Sequence, residues 1–228
     1  TSTAAELNIM DGVTSSATEL NLLDGATSLA TNVNGLSDAL IETYSIHVGN
    51  DPSSTTDGAR YNVAVGVTAL DAVTTGDNNV ALGYDALTAN TTGSYNTAVG
   101  KSSLFANTTG GNNTAVGLSS LYTNTTGNFN TSQGVQSMFA NTTGGYNTAA
   151  GYTSLYANTT GSANTAQGFQ SLYENTTGDK NTAQGYSSLF KNTTGDKNTA
   201  QGFGSLYNST TGDENTAVGY YSLKTNTT

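Results

Sequence analysis

The chain has 228 residues, of which 10% are charged and 35% hydrophobic, with a formal net charge of -10 and a pI near 4.1. No basic patch exists to neutralise phosphates, which disfavours nucleic-acid binding. The absence of cysteine excludes disulfides and thiolate metal sites. No apolar run approaches the roughly 20 residues of a membrane span, so no membrane insertion is expected. Asn, Thr, Gly and Ser fill most of what remains, and so polar a chain finds its order in repetition rather than in a large core.

Residues 1–43 carry a 13-residue period. TAAELNIMDGVTS (Thr3 to Ser15) is followed by SATELNLLDGATS (Ser16 to Ser28), and a decayed third copy keeps Ala30, Thr31, Val33, Asn34 and Leu36. Thr3 precedes Glu6, and Ser16 precedes Glu19, by the capping-box spacing of a helix start. Leu7 and Met10, like Leu20 and Leu23, then share a face, and Gly12 and Gly25 supply a left-handed stop. The pattern predicts short helical turns that need an outside surface to pack on, with Gly35 to Glu42 extending it. Residues 44–58 read as a short strand, from the alternation of Tyr44, Ile46 and Val48, and then a linker, Asn50 to Gly58, around the single proline, Pro52.

From residue 59 to residue 228 one 17-residue unit recurs ten times without an insertion, marked by glycine from Gly66 to Gly219. A strict period stacks each side chain on its own kind along an axis. In the unit GSYNTAVGKSSLFANTT (Gly93 to Thr109), Thr97 and Val99 fall on one face of an extended run and Ala98 on the other. The alanine column (Ala98, Ala115, Ala149 and onward) reads as coil interior. So does the leucine column six residues later, Leu87 to Leu223 with Met138 as the one exchange. Aromatics follow the leucine (Phe105, Tyr122, Phe139) and often the glycine (Tyr84, Tyr152, Phe169). Leucine and its aromatic neighbour would then point to opposite faces of a second extended run. Asn-Thr-Thr-Gly closes the coil as a turn. Two short runs and two turns make one rung of a β-solenoid. The predicted fold is therefore an all-β repeat protein, a trimeric, β-roll-like solenoid fibre with 17-residue rungs, preceded by the helix-turn 13-residue repeats.

The thin Ala-Leu interior, with aromatics on a second face, points to lateral association as a homotrimer. One column changes from Val65, Leu82, Val99 and Val116 to Gln133, Gln167, Gln184 and Gln201. It is read either as a seam along the trimer axis, with amides paired to one another, or as a solvent face.

Sites of chemistry are scarce. His47, the single histidine, reads as an exposed structural residue, and no serine lies in a nucleophile-elbow context, so no enzyme is expected. The Asn-Thr-Thr triplets from Asn90 to Asn192, with Asn208 and Asn226, match glycosylation acceptors but read as turn chemistry. Stacked threonines such as Thr91 and Thr108 raise an ice-ordering face, against which the missing Thr-x-Thr spacing in the turn argues. Asp77, Asp179, Asp196 and Asp213 sit in glycine turns, but the nonapeptide of calcium β-rolls is absent, and solvated turn acids are expected. No catalytic, cofactor or metal residues are assigned, and no cofactor.

The text NTAVG...SLY.NTTG resembles the repeat arrays of bacterial and phage tail fibre domain-containing proteins, and the ELNxLDG segments resemble parts of marine phage tail fibres. NTAVG is also similar to the head repeat of trimeric autotransporter adhesins, whose unit is shorter. The resemblance implies a fibrous, trimeric protein of the virion or the cell exterior. Such fibres commonly end in a cleavable chaperone domain; with none after Thr228, and repeats already under way at Thr3, a segment of a longer fibre is expected. Two roles follow: a structural shaft presenting a receptor-binding tip, joined to other segments of the same fibre, or an adhesin whose repetitive flank binds host-surface glycans multivalently.

Overall fold

Only three residues of each unit form a strand, and they are the ones whose alternation demands it. In Thr97–Val99 the central alanine is fully buried while its neighbours face outward, as the pleat requires. The computed structural model describes residues 39–42, 45–49 and 58–227, which form one 12-stranded sheet whose strands follow one another in sequence order. Strand β1 is Ala39–Glu42, β2 is Ser45–Val48, β3 is Val63–Val65, and the series continues once per repeat unit to β12, Thr216–Val218. From β2 onward every pairing is parallel and in register: Thr97 opposes Thr114, Ala98 opposes Ala115 and Val99 opposes Val116. At a strand spacing of about 4.8 Å the ten rungs from β3 to β12 form a rod about 48 Å long.

The second extended run expected around the leucine is not a strand. Ser103 and Leu104 are consecutive and both fully buried, which the two-residue alternation of a strand forbids. The chain solves this by turning through left-handed conformations, with φ of +55° at Ser102 and +50° at Leu104, repeated in rung after rung. Its backbone groups still pair along the axis: Ser102 N–H donates to Tyr84 O at 2.8 Å and Leu104 N–H to Ser120 O at 3.0 Å. Leucine does point inward, with Met138 in the same column and Leu70 extending it one rung before Leu87, while Phe105 and its equivalents lie half-buried outside. Leu223, in the last described rung, is exposed, unlike the rest of its column.

The solenoid begins one period before residue 59. Ile46, His47 and Val48 of β2 oppose Val63, Ala64 and Val65 of β3, and Ser45 Oγ accepts the Asn62 N–H at 3.1 Å. His47 therefore occupies the alanine column and is 1% exposed, contrary to the expected surface position. The reason is register: Ile46 and Val48 fall on the outward columns, so the odd member of the strand must face in. Ala39–Glu42 pairs antiparallel to β2 and does not extend a helical pattern. The 13-residue repeats of residues 1–38, and most of the linker read at Asn50 to Gly58, lie outside the described residues.

Candidate functional site

The interior of each rung is as much polar as apolar. Besides alanine and leucine or methionine, the rungs between Asn96 and Asn192 hold a serine and two asparagines, all fully buried. The asparagines of the Asn-Thr-Thr triplets form a ladder. From Asn107 to Asn192, each Nδ2 donates to Oδ1 of the asparagine one rung earlier at 2.7–2.8 Å. From Asn90 to Asn192 each also donates to the carbonyl of the glycine that follows its own triplet, at 2.9–3.1 Å. A second ladder runs from Asn62 to Asn215. From Asn62 to Asn198 each Oδ1 accepts the backbone N–H of the asparagine one rung on, as Asn96 N–H to Asn79 Oδ1 at 2.9 Å. From Asn62 to Asn198, Nδ2 crosses the coil to the glycine carbonyl of the closing turn, as Asn79 to Gly93 at 2.9 Å.

Both ladders meet at that carbonyl: Gly93 O receives Asn79 Nδ2 and Asn90 Nδ2, both at 2.9 Å. One oxygen thus ties the start of the strand to the closing turn and shuts the coil with its acceptor sites filled. The glycine is demanded by space. A Cβ at Gly178 would stand 2.5 Å from both Asn175 Oδ1 and Gly195 O. The triplet asparagines do lie in turns, as read from the sequence, but Asn90 to Asn192 are fully buried core groups closed to a glycosylating enzyme in the folded chain. Sequence reasoning missed the ladders. Their signal was the period itself, since an exposed turn asparagine has no reason to recur in every unit.

The other candidates resolve into the same axial pairing. Hydroxyls of the first threonine of each triplet donate to the next rung's threonine carbonyl, as Thr91 to Thr108 at 3.1 Å and Thr176 to Thr193 at 2.9 Å. The turn aspartates cap backbone: Asp196 Oδ1 accepts Asp179 N–H and Asp213 Oδ1 accepts Asp196 N–H, each at 2.7 Å. Among the described residues no group of three or more His, Cys, Asp or Glu is placed to hold a metal ion. Lys197 Nζ reaches Glu214 Oε1 at 2.7 Å, which holds the ammonium above its ordinary pKa, but both side chains are more than half exposed and solvent screens the pair. The glutamine column stands exposed on the single chain, outward from the sheet.

The aromatics form stacks. Phe105, Tyr122, Phe139, Tyr156, Tyr173, Phe190 and Tyr207 lie ring on ring, with centroids 4.9–5.3 Å apart and planes within 10°. A second stack joins Tyr152, Phe169, Tyr186 and Phe203 at 4.8–5.4 Å. Each inner ring has both faces against its neighbours, so only edges meet solvent. Sugars stack on ring faces; these columns offer them none along their length. Regularity fails at Gly204, which stands where other rungs carry a side chain. The edge of Tyr221 fills that space, its ring lies across Phe203 at 84°, and Lys224 Nζ sits 4.1 Å above it. A shallow groove lined by Tyr186, Phe203, Tyr207 and Tyr221 results, with no carboxylate or histidine along it.

Compared with protein-family models, with curated proteins and with solved structures, the chain matches none. Among the described residues no helix is long and apolar enough to cross a membrane. The chain is a parallel β-solenoid of 17-residue rungs, a fold of repetitive, fibrous proteins.

Proposed function

We propose that this chain is a non-catalytic shaft segment of a fibre on a virion or at a cell exterior, assembled as a homotrimer, which holds a receptor-binding tip at a distance. The observation that carries the reading is the unbroken run of the two asparagine ladders, one from Asn90 to Asn192 and the other from Asn62 to Asn215. A spacer needs equal stiffness along its length and no chemistry at any one level, and identical rungs supply both. Electron microscopy of the full chain tests it: straight rods of uniform width are expected, and globular or bent particles reject it.

The adhesin reading draws support from one turn corner, where Tyr95 and Tyr146 are 62% and 67% exposed. Against it stands the closure of ring faces within the stacks, which leaves edges and hydroxyls for contact. Binding of the isolated chain to a glycan array above background would move the assignment to the adhesin; its absence, with rods in the microscope, keeps the shaft.

A further inference from the structure

The columns on either side of the repeated glycine carry most of the exposed large hydrophobic side chains. The position before it runs Val65, Leu82, Val99, Val116 and then largely glutamine; the position after it runs Val67, Tyr84, Lys101, Leu118, Val135 and then aromatic to Tyr220. These side chains face solvent over the whole rod, with Val67 at 55% and Tyr186 at 47% exposed, and Ile46 and Val48 of β2 continue the strip one rung further. With the outward threonine column beside them they make three columns running the length of the ten rungs, in which Lys101 is the one charged residue. Its Nζ lies 5.6 Å from the Tyr84 ring centroid. A strip of this length with one charge and so many exposed aliphatic and aromatic side chains is foreign to a monomer's surface.

We infer that this glycine corner is the surface on which copies of the chain meet, side by side, parallel and in rung-for-rung register. This rests on the fibre reading above and names its interface. Three observations select a second copy as the occupant. A partner must match a rung spacing of about 4.8 Å over ten levels, and another copy does so by construction. Charge is compatible: residues 59–228 carry eight acidic and six basic side chains, gathered mainly at the opposite turn corner with Asp179, Lys180, Asp196 and Lys197. A corner with two apolar flanks also suits a threefold arrangement, in which each chain meets two neighbours. Parallel alignment sets the aliphatic half against the aliphatic half, and it sets glutamine near glutamine, where amides donate and accept mutually; antiparallel rods would bury valine against glutamine.

Sedimentation of the full chain tests both levels. Wild type is expected at three times the chain mass of 23.2 kDa. Leu118→Glu and Tyr186→Glu should fall to the mass of a single chain with an unchanged far-UV spectrum, whereas Tyr95→Glu and Tyr146→Glu, on the turn corner, should keep the wild-type mass. A folded Leu118→Glu or Tyr186→Glu chain that sediments like wild type overturns the strip and leaves the trimer standing; wild type at the single-chain mass overturns both. Because the chain has no cysteine, Val116→Cys gives a second reading that needs no dissociation. Mild oxidation should link Val116→Cys copies in pairs and leave Tyr146→Cys unlinked, and the reverse pattern rejects the strip.

Discussion

At the scale of the residue, an amide is chosen where a methyl would fill the space, because a methyl can neither donate nor accept, whereas the amide does both along the stacking axis with separate atoms. Asn141 shows the cost of losing one. Its Nδ2 donates to Asn124 Oδ1 at 2.8 Å and Gly144 O at 3.0 Å, and its Oδ1 accepts from Asn158 at 2.7 Å. Asn141→Ala strands these groups in a dry interior, and at about 1–3 kcal/mol for a buried unpaired group the variant should lose about 3 kcal/mol in chemical denaturation. The ladder also has a natural flaw. Ser209 replaces the next asparagine; its hydroxyl and Asn192 Oδ1 are buried without a partner. Ser209→Asn supplies a donor to Asn192 Oδ1 and to the Gly212 carbonyl, so it should raise stability by about 1–2 kcal/mol. A lower melting temperature for this variant would contradict the ladder as drawn.

At the scale of the element, the strand was legible and the arm after it was not. Thr-Ala-Val alternates in polarity and size, which reveals a strand with alanine inside. In Ser-Ser-Leu-Phe the pattern gives inward leucine and outward aromatic correctly. Nothing in residue type announces left-handed backbone at Ser102 and Leu104, because neither is the glycine or asparagine that usually marks it. Stacking imposes it, since each turn is held by hydrogen bonds to the rungs above and below. His47 escaped for a related reason: its column is set by pairing with β3, a contact one full period along the chain.

The aromatic stack makes a further measurable statement at this scale. Desolvation, and then the nearby Tyr156, Glu174 and Tyr152, raise the Tyr173 phenol above its ordinary value of 10.0. A folded-state pKa above the unfolded one gives stability that is complete below about pH 10 and lost as pH rises through the folded value, because the native state then holds the proton more tightly. Melting temperature should therefore decline above about pH 10, and Tyr173→Phe should decline less steeply. Identical slopes would show that the stack does not sense this ionisation.

At the scale of the whole molecule, stability belongs largely to interfaces between rungs, since most of each rung's backbone donors, and one bond of each ladder asparagine, find their partners in the rungs beside it. Length is then a free variable and register is not. Removing residues 127–143 joins Thr126 to Gly144, which restores the Thr-Gly sequence of every other unit. The shortened chain should fold with one cooperative transition and give a rod shorter by about 4.8 Å in small-angle scattering. Removing Thr126 alone deletes fewer atoms but shifts every later column against the earlier ones. Ser132 would meet Thr114 and Gln133 would meet Ala115 in the strand, Phe139 would replace Met138 in the core column, and the asparagine ladders would break at one level. That variant should unfold in two steps, or lose its rungs on one side of the cut, and be far less stable than the variant lacking the whole unit. The reverse order of stability would mean that the rod is held by something other than like residues stacked on like.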